Sequence, residues 1–123
     1  MTRETYSTTP RAAVVRTVSR SGGVVRLEVR RRDGRLLASH ALRGDELAHL
    51  EIAIAIATCG RPAFARVATL PRPRGAHLEI LADSTPRVLV GRYEHGVLVH
   101  GFEAAAAELD ALARAVADAR EAT

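Results

Sequence analysis

Lysine, asparagine, glutamine and tryptophan are missing altogether from this chain of 123 residues, and cysteine occurs once, at Cys59. A single cysteine excludes an internal disulfide and any Cys-x-x-Cys metal or redox motif, and it fits a reducing compartment. Cys59 is expected to pack behind the helix that precedes it. Aromatics are nearly as scarce, Tyr6, Phe64, Tyr93 and Phe102 being the full set, which leaves few rings for stacking on bases. The longest apolar run, Ile52 to Ala57, falls far short of the roughly 20 residues a spanning helix needs. Met1 to Pro10 has no apolar stretch of the signal-peptide kind. The expectation is a soluble, cytoplasmic protein with no membrane association. No nucleophile elbow, P-loop, Gly-x-Gly-x-x-Gly or His-Glu-x-x-His is present either, so a non-catalytic role without metal or cofactor is expected.

What the chain does have is alanine, valine, leucine and arginine, the coding bias of a GC-rich bacterial genome. All 18 cationic residues are arginine. Under such a bias the choice of arginine over lysine says little, and the distribution of the arginines says more. Residues 1–43 hold ten arginines against Glu4, Glu28 and Asp33, a net +7, and residues 61–92 hold six against Glu79 and Asp83, a net +4. Residues 44–60 carry Asp45, Glu46 and Glu51 with no base, and residues 93–123 carry six acids against Arg114 and Arg120, giving −3 and −4. The basic segments are those that read as strands and the acidic ones read as helices, so one cationic face can be offered to a polyanion while the helices pack elsewhere.

Strand signals begin after a tail, residues 1–10, expected to be disordered. Ala12 to Arg20 reads as a first strand, ended by Ser21-Gly22-Gly23. In Val24 to Arg32, Val25, Leu27 and Val29 alternate with Arg26, Glu28, Arg30 and Arg32, the period of a sheet wet on one side. Asp33-Gly34 predicts a two-residue hairpin turn leading to a strand over Arg35 to Leu42. Gly44-Asp45 opens a helix over Glu46 to Thr58, although Ile52 to Ala57 also alternates like a strand; its apolar residues lie nearly all round, so it must be covered on more than one side. Gly60 and Pro62 end it. Strands are predicted again over Ala63 to Leu70, Ala76 to Ala82, Arg87 to Tyr93 and Val97 to His100. A second helix is predicted over Phe102 to Glu121, with Leu109, Leu112 and Val116 on one face.

The two halves read as copies offset by 51 to 52 residues, pairing Leu27-Glu28-Val29 with Leu78-Glu79-Ile80, Leu36-Leu37 with Val88-Leu89 and His49 with His100. The expected fold is therefore α+β: a single domain over 11–123 made of two antiparallel β-meander repeats, 11–60 and 61–121, each of three or four strands followed by a helix. That order of elements, over about residues 11 to 121, resembles the Whirly and PUR group of single-strand nucleic-acid-binding proteins. The resemblance implies sheets that contact nucleic acid and helices that help the chains assemble.

The function expected is regulatory nucleic-acid binding, weakly favouring single strands, through an arginine-rich sheet face: Arg16, Arg20, Arg26, Arg30 and Arg32 from the first half, Arg66, Arg72, Arg74 and Arg92 from the second. The alternative is a homodimeric interaction module, an adaptor or chaperone that binds an acidic protein partner. In either case a homodimer is expected on Leu47, Leu50, Ile54, Leu109, Leu112 and Val116. A His77, Glu79 and His100 cluster is conceivable, but isolated histidines on polar strands are more often solvated or satisfied than catalytic. Arg43-Gly44-Asp45 spells an adhesion tripeptide and is read as coincidence.

Overall fold

A computed structural model describes residues 2–122; Met1 of the expected tail and Thr123 of the expected domain lie outside the described residues. The first half forms β1 (Glu4–Arg11), β2 (Val14–Ser21), β3 (Val24–Arg31), β4 (Leu36–Arg43) and α1 (Glu46–Ala57). The second forms β5 (Phe64–Pro71), a short 3-10 turn (Pro73–Gly75), β6 (His77–Asp83), β7 (Arg87–Glu94), β8 (Val97–Ala105) and α2 (Ala107–Glu121). Two four-stranded antiparallel meanders result, β1-β2-β3-β4 and β5-β6-β7-β8, each followed by a helix. This is an α+β fold with an internal repeat.

Three expectations need correction. Residues 4–11 are an edge strand rather than a tail, laddered on β2 from Glu4 opposite Arg20 to Arg11 opposite Val14. Thr5, Ser7, Thr8 and Thr9 suit an extended backbone, but the strand's inward side is anchored by polar contacts, so it lacks an apolar alternation. Second, α2 starts at Ala107, because residues 102–105 continue β8 with Phe102 and Ala104 buried in alternation. The alanine run hides the change, which comes at Ala106, in the left-handed region at φ 49°. Third, Asp33-Gly34 belongs to a longer turn in which Arg31 N–H donates to Arg35 O at 2.8 Å and Gly34 N–H to Arg31 O at 2.9 Å. Gly34, at φ 94°, supplies the positive torsion that loop requires. Ile52 to Ala57 is helix.

The repeat is real but its offset is not 51 to 52. The four buried positions of α1, Leu47, Leu50, Ala53 and Ala57, recur as buried Leu109, Leu112, Ala115 and Ala119 of α2, each pair 62 positions apart. Edge irregularities recur as well. The ladders skip Tyr6 in β1 and Val67 in β5, and Leu37 in β4 and Val99 in β8, whereas β2–β3 and β6–β7 pair without interruption. Each bulge sits on an edge strand, where it twists the exposed ladder away from further pairing.

Each sheet buries one face in the core. The first turns Val18, Val25, Leu27, Val29 and Leu42 inward, and the second Leu78, Ile80, Val88, Val90 and Phe102. The helices cross over to cover these faces. α1 lies on β5, β6 and β7 of the second sheet, α2 on β1 and β2 of the first, and the helices touch each other. One continuous core results, and it explains why α1 is apolar nearly all round: sheet, second helix and the end of β4 surround it, leaving Ile52 half exposed. Leu47, Leu50, Leu109, Leu112 and Val116 are buried in this core, and Ile54 packs against it. Five of the six thus serve the chain's own interior, and Ile54 is half-buried at its edge.

Candidate nucleic-acid interface

Which arginines share a face is decided by the β2–β3 turn. Gly22-Gly23 is a two-residue connection, with Ser21 opposite Val24, so even positions of β2 stand opposite odd positions of β3. Arg16 therefore pairs with Val29 and Arg20 with Val25, on the inward face. Arg26 and Arg30 stand opposite Ser19 and Val15 on the outward one. On β4 the outward positions include Ala41, opposite Arg26, and Arg43, opposite Val24. Arg3 joins them by its ion pair to Glu28 at 3.2 Å.

The outward face of the first sheet thus carries Arg3, Arg26, Arg30 and Arg43, of which Arg3 and Arg30 lie against one carboxylate, Glu28. Arg30 lies 3.6 Å from Glu28 and donates to Gly34 O at 3.0 Å. Arg26 stands between the small side chains of Ser19 and Ala41, and among the described residues it makes no ion pair and no side-chain hydrogen bond. Arg43 is exposed and has no ion pair among the described residues either. Thr5, Thr17 and Ser39 add hydroxyls to the same face. A sheet face with unpaired guanidinium groups suits phosphate oxygens, which accept two parallel N–H bonds from each fork. No aromatic ring lies on this face.

The other expected arginines are placed differently. Arg16 points inward, and its Nε and Nη1 are buried without a hydrogen-bond partner. Arg20 donates to Tyr6 Oη at 2.9 Å, to Glu4 at 2.6 Å and to Gly22 O at 3.1 Å. Arg32 donates to Ala12 O at 2.6 Å. Arg72 clamps the two halves together, donating to both Glu46 oxygens at 2.8 and 3.1 Å and to Ala41 O at 3.1 Å. Arg74 sits in the 3-10 turn at φ 64°. Arg92 faces inward between Leu78 and His100. Of the four expected in the second half, Arg66 is on the outward sheet face, 2.8 Å from Glu79. Of the nine, Arg26 and Arg30 belong to the cationic face; Arg3 and Arg43 belong to it and were not expected. The two-glycine turn is the signal that gives the parity of Arg26 and Arg30, whereas the place of Arg43 depends on the longer β3–β4 turn and the bulge in that ladder.

The outward face of the second sheet has another character. His77 stacks on Tyr93, ring centroids 5.2 Å apart and planes 3° from parallel, and its Nε2 lies 3.1 Å from Glu79 Oε2. Phe64, Leu81, Leu89 and Leu98 share the face, and its charges are paired: Arg66 with Glu79, Arg87 with Asp83 at 3.3 Å, and Glu103 with Arg11 at 3.6 Å. His100 is on the opposite side of that sheet, opposite Arg92, so His77, Glu79 and His100 do not form one site. His40 is buried under the first sheet, and burial, then the charges of His100, Arg92 and Arg72, lower its pKa to about 4. Among the described residues no group of three or more His, Cys, Asp or Glu side chains is placed to hold a metal ion. Cys59 is exposed rather than packed.

Compared with known proteins, the chain matches no family model, no curated protein and no solved structure.

Proposed function

We propose that this chain is a non-catalytic nucleic-acid-binding protein whose contact surface is the outward face of β1 to β4. The observation that carries the reading is Arg26, a guanidinium at the centre of a sheet face, without an acidic partner, in a group of four arginines served by one glutamate. An unpaired cation there gains by releasing the counterions condensed on a polyphosphate. With no ring on the face, recognition runs through phosphates and sheet shape rather than base stacking. Regulation in the cytoplasm is the setting that fits such a protein; no helix among the described residues is long and apolar enough to cross a membrane.

The test is fluorescence anisotropy with labelled single-stranded DNA, duplex DNA and RNA of equal length, between about 50 and 200 mM salt, where phosphate-driven binding falls steeply. Binding that weakens steeply over this range supports the reading. No binding at the lowest salt ends it, and an acidic protein segment then becomes the ligand to seek.

A further inference from the structure

We infer that the outward face of the second sheet is the interface between two copies of this chain. The core helices are occupied within the chain, so a second copy has to be met elsewhere, and the two sheet faces differ in what they tolerate. Apposing the first sheet's outward face with its own copy sets Arg3, Arg26, Arg30 and Arg43 against the same four residues, with only Glu28 on each side to offset them. Like charges brought together in that way oppose association. The second sheet's face is electrically balanced by Arg66–Glu79, Arg87–Asp83 and Arg11–Glu103. It meets its own copy without net repulsion.

The same face supplies apolar surface and relief. Phe64 projects from the start of β5 with 72% of its surface exposed. Its ring forms one wall of a recess of roughly 160 Å³ that Leu81, Leu89, Asp83, Arg87 and Glu103 also line. An exposed ring and a recess on one surface suit a two-fold interface, since the same patch must serve as both partners. Gly91 and Gly101 stand directly opposite each other further along the face. A Cβ at Gly91 would come within 2.8 Å of Leu98 Cδ1, and one at Gly101 within 3.4 Å of Leu89 Cδ1. Each of the two leucines therefore lies over a glycine of the facing strand. Four strands about 4.8 Å apart, with residues rising about 3.3 Å each, give a face of roughly 500 Å². Two such faces reach about the 1,000 Å² that a specific interface requires. Exclusion of water from Phe64, Leu81 and Leu89 drives the association. The dimer then displays both cationic first sheets outward.

The experiment needs no nucleic acid, so its result is independent of the binding proposal. Sedimentation equilibrium is run on the wild type, Phe64→Glu, Leu89→Glu and, as a control on the exposed side of α1, Ile52→Glu. The wild type and Ile52→Glu are expected to be dimers at tens of micromolar. Phe64→Glu and Leu89→Glu are expected to raise the dissociation constant at least tenfold. Phe64→Glu should leave the circular dichroism spectrum and melting temperature of the monomer unchanged, because its ring is exposed. A monomeric wild type at about 100 µM, or a dimer that survives both face variants or is lost in Ile52→Glu alone, overturns the assignment.

Discussion

Arg11, at the end of the first strand, reaches 2.8 Å to Glu108 at the start of the last helix, and Glu108 is only 1% exposed. The pair joins the two ends of the chain. The Tyr6 hydroxyl repeats the connection further along the same strand and helix, donating to Asp118 at 2.5 Å. Burial and the Asp118 bond hold the Tyr6 phenol above its ordinary pKa. Removing Arg11 leaves a buried carboxylate without its cation, and an unpartnered charge of that kind costs more than the pair itself contributes. Because Arg11 is itself partly exposed, Arg11→Ala is expected to cost about 1–3 kcal/mol. Glu108→Gln, which leaves no buried charge, should cost less. Urea unfolding of the two variants checks the order; a loss for Arg11→Ala no larger than for Glu108→Gln contradicts it.

His40 makes the fold sensitive to mild acid. Its folded pKa, about 4, lies below the ordinary 6.5, so the unfolded chain takes up the proton first. Stability is full above about pH 6.5, falls as pH drops from there towards 4, and levels off below that point, with a total of up to about 3 kcal/mol. The ring is 3% exposed, opposite Leu27 in the ladder. His40→Leu should therefore flatten the slope between pH 6.5 and 5, a window in which most carboxylates remain ionised. Denaturant midpoints at several pH values measure it, and an unchanged slope in His40→Leu assigns the acid response to other groups.

Crossed helices make each half dependent on the other. α1 covers the second sheet and α2 the first, so residues 2–60 alone expose the apolar face Val18, Val25, Leu27 and Leu42, and residues 61–122 expose Leu78, Ile80 and Val90. Neither fragment is expected to fold as a monomer, and mixing them in equal amounts should restore a cooperative melt. A fragment that melts cooperatively as a monomer would show that its own helix can fold back.

Much of this architecture is legible in the residues. The alternation of Val25, Leu27 and Val29 gives β3 its inward face, and the register of the repeat is present in Glu46-Leu47-x-x-Leu50 against Glu108-Leu109-x-x-Leu112. An offset of 51 to 52 aligns the third strand of one unit with the second of the next, and it follows directly from reading β1 as a tail. That strand is hard to see because its anchors are polar: Tyr6 on Asp118 and Arg11 on Glu108 are contacts to residues more than 90 positions away, which no local pattern can announce. The exchange of helices between sheets is equally invisible, since either helix has the apolar stripe to cover either sheet. Part of the cationic face is legible, because the two-residue turn at Gly22-Gly23 fixes the parity of β2 against β3.

That parity separates two kinds of arginine by experiment. Arg26 and Arg43 are on the outward face without ion pairs among the described residues, so on the proposed binding surface replacing either by alanine is expected to remove a phosphate contact and disturb little else. Each substitution is expected to lower affinity for nucleic acid and to reduce the slope of log affinity against log salt by about one, with stability changed by no more than about 0.5 kcal/mol. Arg20, on the inward face, ties Tyr6 to Glu4, and Arg16 covers part of the core side of β2 with two buried nitrogens. Arg20→Ala should lower the melting temperature while leaving the salt slope of the folded protein intact, since its guanidinium is not on the proposed binding face. Arg16→Ala should likewise spare the slope, and its effect on stability combines lost packing with relief of an unpartnered buried group. Anisotropy titrations of the four variants, each paired with a thermal melt, make the comparison. If Arg16→Ala and Arg20→Ala flatten the slope as much as Arg26→Ala and Arg43→Ala do, the nucleic acid is reading the arginines without regard to face, and the sheet is not its platform.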